Sequence, residues 1–269
     1  MIYMEGSCLK LSVSQISWRP QELETALKLL TAYNFDGVEV APTMLFGATP
    51  YTPNCRQQAI DFATEIKLKY NLSVSSMQSI WYGVQGNIFG PERNFLLQYT
   101  KDAILFASAI GASNIVFGCP KNRIIPDNTP DDSAIEFFRE ISDFAFEHDT
   151  MLSLEANPAD YGTNYMNTTA DALDVVYRVS SKSCKLNVDF GTILLNNENV
   201  NWLRGKVDSI GHVHISEPNL AILQKRNEHL ELAAILREEN YAGYVSIEML
   251  SQPLNILDDL CCYLQEVFG

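Results

Sequence analysis

The sequence predicts a single α/β domain over residues 1–269, folded as a (β/α)8 TIM barrel. Short β-branched or Leu-rich runs alternate with amphipathic stretches of helical length, which is the pattern of βα units around a parallel sheet. Eight such runs can be counted. No linker, low-complexity segment or charge run interrupts them. A chain of 269 residues would suggest two domains at about 150 residues each, but closed α/β barrels of about 250 residues are a standing exception. An open doubly wound sheet fits the same alternation, whereas eight consecutive right-handed units close naturally into a barrel.

The expected strands are residues 9–13, 37–41, 72–77, 114–118, 151–155, 185–189, 209–214 and 244–248. After the first, Pro20 stands at a first-turn position, and Leu23, Leu27 and Leu30 recur at helical spacing. Pro91, Pro130 and Pro253 punctuate in the same way. Thr129-Pro130-Asp131-Asp132 opens a helix with acids in its first turn, where the helix dipole favours them. Ile135, Phe138, Ile141, Phe144 and Ala145 form its apolar face. Gly111 and Gly243 stand where helices should end. The sixth helical segment, about residues 198–203, is short and weakly patterned.

Nineteen basic against 33 acidic residues leave a formal charge of 19 − 33 = −14, which opposes any partner bound through its phosphates. Nucleic acid and anionic membrane surfaces are therefore not expected as partners. The charge-free stretches 70–91 and 103–120 are broken by Ser, Gly, Asn and Gln, so neither reads as a membrane span. Six cysteines lie scattered without C-x-x-C pairs, and no signal-like segment precedes them. Reduced thiols and a cytoplasmic location are the expectation.

Barrel strands are usually apolar on both faces, but here the second half departs from that rule. Leu152 and Leu154 share one face of their strand and leave Ser153 and Glu155 on the other. Likewise Asn187 and Asp189 oppose Leu186 and Val188, and His212 and His214 oppose Val213 and Ile215. Ser246 and Glu248 oppose Val245 and Ile247. Period two thus sets Glu155, Asp189, His214 and Glu248 on the inner face at the C-terminal ends of strands 5–8, at spacings of 34, 25 and 34 residues. That end carries the chemistry of a barrel. Taken singly, each has an ordinary explanation as a helix cap or a satisfied core histidine. Together, three carboxylates near one axis raise each other's pKa unless a cation offsets them. The expected ligands of a divalent metal are therefore Glu155, Asp189, His214 and Glu248. The oxygen-rich set favours Mn²⁺ first, then Mg²⁺, with Co²⁺ and Zn²⁺ also compatible.

Around these positions the chain resembles the xylose-isomerase-like sugar isomerase/epimerase superfamily, and within it the ketose 3-epimerases. The matching pieces are Leu154-Glu155-Ala156-Asn157-Pro158, Val188-Asp189-Phe190-Gly191, Gly211-His212-Val213-His214-Ile215-Ser216-Glu217 and the run from Tyr241 to Glu248. The resemblance implies an isomerase acting on a sugar or sugar phosphate through a cis-enediolate, with Glu155 and Glu248 as catalytic acid and base. A related expectation is a lyase of the inosose-dehydratase kind acting on a keto-polyol. Trp18, Glu39, Gln78, Trp81, Asn157, His212 and Glu217 complete the candidate substrate-binding set, with His212 one layer deeper than His214. Phe46 and Tyr82 also follow early strands and offer aromatic faces. Many free-ketose members carry other residues at three positions that here hold Thr192, Tyr161 and Leu220. The substrate-orienting shell therefore differs while the metal core is kept. Lys121, Arg123, Lys225 and Arg226, in βα loops within reach of a substrate phosphate, are expected as exposed solvated charges rather than phosphate contacts, and association into homo-oligomers is an open expectation.

Overall fold

The computed structural model describes residues 8–269, so the first seven residues of the expected domain lie outside it. Eight parallel strands close into one barrel in chain order: β1 (Lys10–Ser14), β2 (Gly37–Val40), β3 (Ser73–Met77), β4 (Asn114–Phe117), β5 (Met151–Glu155), β6 (Cys184–Asp189), β7 (Ile210–Ser216) and β8 (Tyr244–Glu248). Closure is made by β1 against β8, where Leu11 pairs with Val245 and Val13 with Ile247. The closed ring decides between the barrel and the open sheet, and observed strands lie within two residues of the expected ones.

Helices α1 (Leu23–Ala32), α2 (Pro42–Phe46), α3 (Pro53–Tyr70), α4 (Arg93–Ala109), α5 (Asp132–Glu147), α6 (Thr169–Val179), α7 (Phe190–Leu195), α8 (Asn227–Glu238) and α9 (Leu254–Phe268) wrap the outside. Ala26, Leu27 and Leu30 are the buried stripe of α1, and Ile135, Phe138, Ile141 and Ala145 lie on the buried side of α5. Such stripes seal the outward faces of the strands with apolar side chains. Gly111 follows α4 with φ +69°, as a helix stop requires.

Two expectations change. The sixth segment starts earlier than its pattern suggests, because Asp189 caps α7 by accepting from the Thr192 N–H at 2.6 Å. Gly243 is not a helix stop; α8 ends at Glu238 and Asn240 takes the left-handed turn at φ 56°. Glycine is needed at 243 because a Cβ there would collide with the Tyr241 side chain and the Gly211 carbonyl.

The barrel interior is polar rather than filled by Val, Ile and Leu. Near its lower end Ser12 bonds Ser75 at 2.8 Å and Ser246 at 3.0 Å, while Ser153 donates to Asn114 at 2.5 Å. Small hydroxyls satisfy one another there and leave room above them for large titratable groups. Among the described residues no helix is long and apolar enough to cross a membrane, and all six cysteines are free thiols.

One buried histidine lies outside the barrel axis. His229 of α8 is fully buried, its Nδ1 sits 2.9 Å from the Tyr263 hydroxyl and its ring packs edge-on to Phe190. Burial pushes its pKa down to about 4. The unfolded chain therefore binds one more proton between about pH 6.5 and 4, so the stability from neutral His229 is present above pH 6.5 and lost as pH falls through that window. In chemical denaturation, the wild type should lose up to about 3 kcal/mol more across this window than His229→Phe. Identical pH slopes would contradict it.

Candidate metal and active site

His214 is the centre of the site. Its strand, β7, lies between β6 and β8, with Asp189 in register opposite His214 and Glu248 opposite Ser216. Alternation along β7 turns His212, His214 and Ser216 inward, and all three are buried. The two ring nitrogens of His214 face different layers. Nε2 lies 3.1 Å from both carboxylate oxygens of Glu39, on β2 across the barrel. An ionised carboxylate only accepts, so Nε2 carries the proton and leaves Nδ1 facing the mouth.

Three strand-end carboxylates gather on that mouth side. Nδ1 lies 3.3 Å from Glu155 Oε2 and 3.2 Å from Glu248 Oε2, which approach from β5 and β8 on the two sides of β7. Donor atoms of Glu155, Asp189 and His214 all fall within 4.8 Å of one another. Glu248 joins the cluster through His214 rather than through that triplet. Asp189 is held by the Ser216 hydroxyl at 2.6 Å on Oδ2, besides its cap to α7 on Oδ1. The bland reading of Asp189 as a helix cap is therefore true and compatible with its place in the cluster. Glu155 accepts from Asn157 at 2.9 Å and Asn187 at 2.7 Å, and Glu248 accepts from Gln78 at 2.9 Å.

The electrostatics follow from burial. Desolvation and the charge of Glu155 raise Asp189, and desolvation pushes Glu248 up to about 7 against the pull of His214. Burial would lower His214, but the charges of Glu248 and Glu39 carry it well above the imidazole range. Burial would raise Glu39 too, yet His214 and His212 hold it far below the carboxylate range. Three buried acids and the part-buried Glu155 thus surround His214, with Arg123 the nearby cation of Glu155, and among the described residues no lysine or arginine lines the carboxylate cavity. An oxygen-rich donor set short of positive charge fits a hard divalent cation.

A second group, Glu39 with His212 and His214, also has donor atoms within 4.8 Å of one another. It lies beneath the cavity, all three side chains are 0% exposed, and His212 Nε2 stands 3.2 Å from Glu39 without hydrogen-bond geometry. Its distances are those of a layer that orients the His214 imidazole from beneath.

Of the expected substrate contacts, Gln78, Asn157 and Glu217 line the carboxylate cavity of about 230 Å³ beside Glu155, Asp189 and Glu248. Four others sit elsewhere. Glu39 and His212 belong to the layer below, because their strand positions fall one pleat deeper than the mouth. Trp81 is core, with its N–H on Thr100 at 3.1 Å and its ring against Phe117 at 4.8 Å. Trp18 is also buried and borders a neighbouring apolar cavity, as does exposed Tyr82. Phe46 packs on Phe106. Glu217 is pinned by Arg226, whose Nε donates at 2.7 Å. Tyr161 and Leu220, two of the three departures from the family pattern, do line the cavity. Cys119 lines it as well, but desolvation pushes its thiol up to about 12, which leaves no thiolate.

Arg123 is the main correction. Rather than an exposed loop charge it is 0% exposed, and burial lowers it to about 10. Its Nη2 donates to Asn157 Oδ1 at 2.7 Å, and Asn157 in turn donates to Glu155, so a buried guanidinium reaches the carboxylate through one amide. Sequence reasoning also passed over Ser216, although the period that turns His212 and His214 inward continues to it.

Residues 27–265 match the family model of the xylose isomerase-like TIM barrel. No curated protein sequence matches the chain. Among solved structures, the 3-keto-D-glucoside 4-epimerase YcjR of E. coli aligns at 19% identity and TM-score 0.76, covering 96% of this chain and 99% of that one. A D-psicose 3-epimerase crystallised in the presence of D-fructose aligns at 15% identity and TM-score 0.76, over 97% and 100%. An L-ribulose 3-epimerase aligns at 16% identity and TM-score 0.69, over 94% and 86%. At such identities the likeness shows a shared fold.

The Arg123–Asn157 link makes a stability prediction. Asn157→Ala strips the buried guanidinium of its one hydrogen bond and should cost about 3 kcal/mol in denaturant unfolding. Once Arg123→Met has removed that charge, the same change should cost at least about 1 kcal/mol less. Additive effects in the double-mutant cycle would contradict the link.

Proposed function

Because the chain belongs to the xylose isomerase-like TIM-barrel family, we propose that it is a divalent-metal-dependent sugar epimerase or isomerase. The observation that carries the reading is the convergence of Glu155 and Glu248 on His214 Nδ1, at 3.3 and 3.2 Å, with Asp189 alongside. Glu155, Asp189, His214 and Glu248 would hold the metal, with Mn²⁺ the first candidate and Mg²⁺, Co²⁺ and Zn²⁺ also compatible with the donors. Bound there, such an ion would polarise neighbouring oxygens of a ketose and so acidify the C–H beside the carbonyl. The names of the structural neighbours, epimerases of psicose, ribulose and a keto-glucoside, support a sugar substrate.

The chain's own residues then move the proton. One glutamate of the Glu155/Glu248 pair takes the carbon-bound proton as the carbonyl becomes a cis-enediolate, and the other returns a proton to carbon. Return to the opposite face of the same carbon gives an epimer. Return to the neighbouring carbon interconverts ketose and aldose. Gln78 and Asn157 hold Glu248 and Glu155 by their amide N–H groups, at 2.9 Å each, which limits the carboxylates to the geometry of transfer. Glu217, clamped by Arg226, presents a fixed acceptor to hydroxyls at the cavity wall. The absence of lysine and arginine from that wall favours an unphosphorylated sugar.

Incubation of the Mn²⁺-loaded protein with a panel of ketoses in D₂O should place deuterium at one carbon and yield an isomer of unchanged skeleton. Glu155→Gln and Glu248→Gln should each lower exchange by about 100-fold or more. Wild-type exchange in either variant, or loss of water from the sugar, would overturn the two-glutamate reading.

A further inference from the structure

The carboxylate cavity has a larger neighbour. A second cavity of about 790 Å³ lies over the mouth ends of β1, β2 and β3, and its wall includes Ile16, Ala41, Met44, Val84, Tyr99 and Leu250. Arg19 is its one charged lining residue. Ser79 and Leu220 line both cavities, so the two are neighbours separated by no more than these side chains. Their sizes differ in a telling way. About 230 Å³ is below the usual range for a complete small-molecule pocket of roughly 300–1,000 Å³, whereas about 790 Å³ falls well inside it.

The shared wall is built at some conformational cost. Leu220 has φ 53°, in the left-handed region that a leucine rarely enters. It is held there by three bonds: its own N–H to the Glu217 carbonyl at 3.0 Å, the Leu250 N–H to its carbonyl at 2.9 Å, and the adjacent Asn219 N–H to the Tyr161 hydroxyl at 2.8 Å. The loops after β5, β7 and β8 thus fix an apolar side chain at the junction. Trp18, whose buried indole N–H has no partner, also borders the larger cavity.

We propose that the larger cavity receives an apolar substituent of the sugar, so that the substrate is a keto-sugar carrying an aryl or alkyl group at its anomeric oxygen, with a ketone elsewhere on the ring left free for the proton transfer. The inference rests on the sugar-epimerase reading of the carboxylate site and adds to it the nature of the far end of the substrate. The polar ring occupies the small carboxylate cavity, and the apolar group passes Ser79 and Leu220 into the larger one. No bond to the substituent forms or breaks; its burial supplies affinity and orientation. Free ketoses fill only the smaller cavity.

Calorimetric titration of the Mn²⁺-loaded protein with phenyl β-D-glucopyranoside and methyl β-D-glucopyranoside tests this. The phenyl compound should bind at least about ten-fold tighter. Leu220→Asn, whose side chain suits the left-handed backbone and removes the apolar wall, should bring that ratio close to one without lowering the unfolding midpoint. Equal binding of both glycosides, absence of binding by both, or an unchanged ratio in Leu220→Asn would overturn the proposal. Deuterium exchange with free ketoses and with phenyl and methyl 3-keto-glucosides is measured in parallel. Exchange with no phenyl preference sinks the cavity proposal alone, and a phenyl preference with no exchange in any sugar sinks the epimerase reading alone.

Discussion

The site depends on one side chain held from both sides. His214 stands between Glu39, 3.1 Å below, and the Glu155 and Glu248 carboxylates, 3.2 to 3.3 Å above. Burying four acids along one barrel axis is costly unless positive charge sits among them. The lower acid is balanced chiefly by His214, whose Nε2 faces it. The upper three share His214 and, through Asn157, the buried Arg123, and the excess of carboxylate that remains fits the cation proposed for the mouth. Everything else in the interior serves the arrangement: serines below free the volume, and Asn187, Ser216, Gln78 and Asn157 aim the carboxylate oxygens.

The arrangement also joins fold to function through register. Asp189 caps α7, accepts from Ser216 and joins the carboxylate cluster around His214, so a helix start, a strand pairing and a cluster position are set by one residue. Arg123 plays a similar part from the loop after β4. A guanidinium with two unpartnered nitrogens is expensive to bury, and it is retained where it grips Asn157 and through it Glu155.

Much of this was legible in the sequence because strand alternation is strict. Period two carried Glu155, Asp189, His214 and Glu248 to one face and one end, and the same rule extends to Ser216. What it could not resolve was depth. Glu39 and Trp81 follow or end early strands much as Gln78 does, yet one supports His214 from beneath, one is core and only Gln78 reaches the cavity. Depth is set by strand stagger and by helix packing, which are tertiary quantities. Arg123 was hidden for a different reason: loop charges are normally solvated, and only the neighbouring turn of Asn157 gives this one a buried partner. Leu220 was visible as a departure from the family pattern, but its role at the junction of two cavities required three loops in place.

In the reading proposed above, the carboxylates around His214 Nδ1 hold the cation and the Glu39 layer only supports them. Equilibrium titration of metal-free protein with Mn²⁺, read by the electron paramagnetic resonance of the free ion, tests it directly. The wild type should bind one tight equivalent, Asp189→Asn should lose tight binding, and Glu39→Gln should retain binding weakened by about 10- to 100-fold. Tight binding that survives Asp189→Asn and disappears in Glu39→Gln would place the ion in the lower layer and contradict the account.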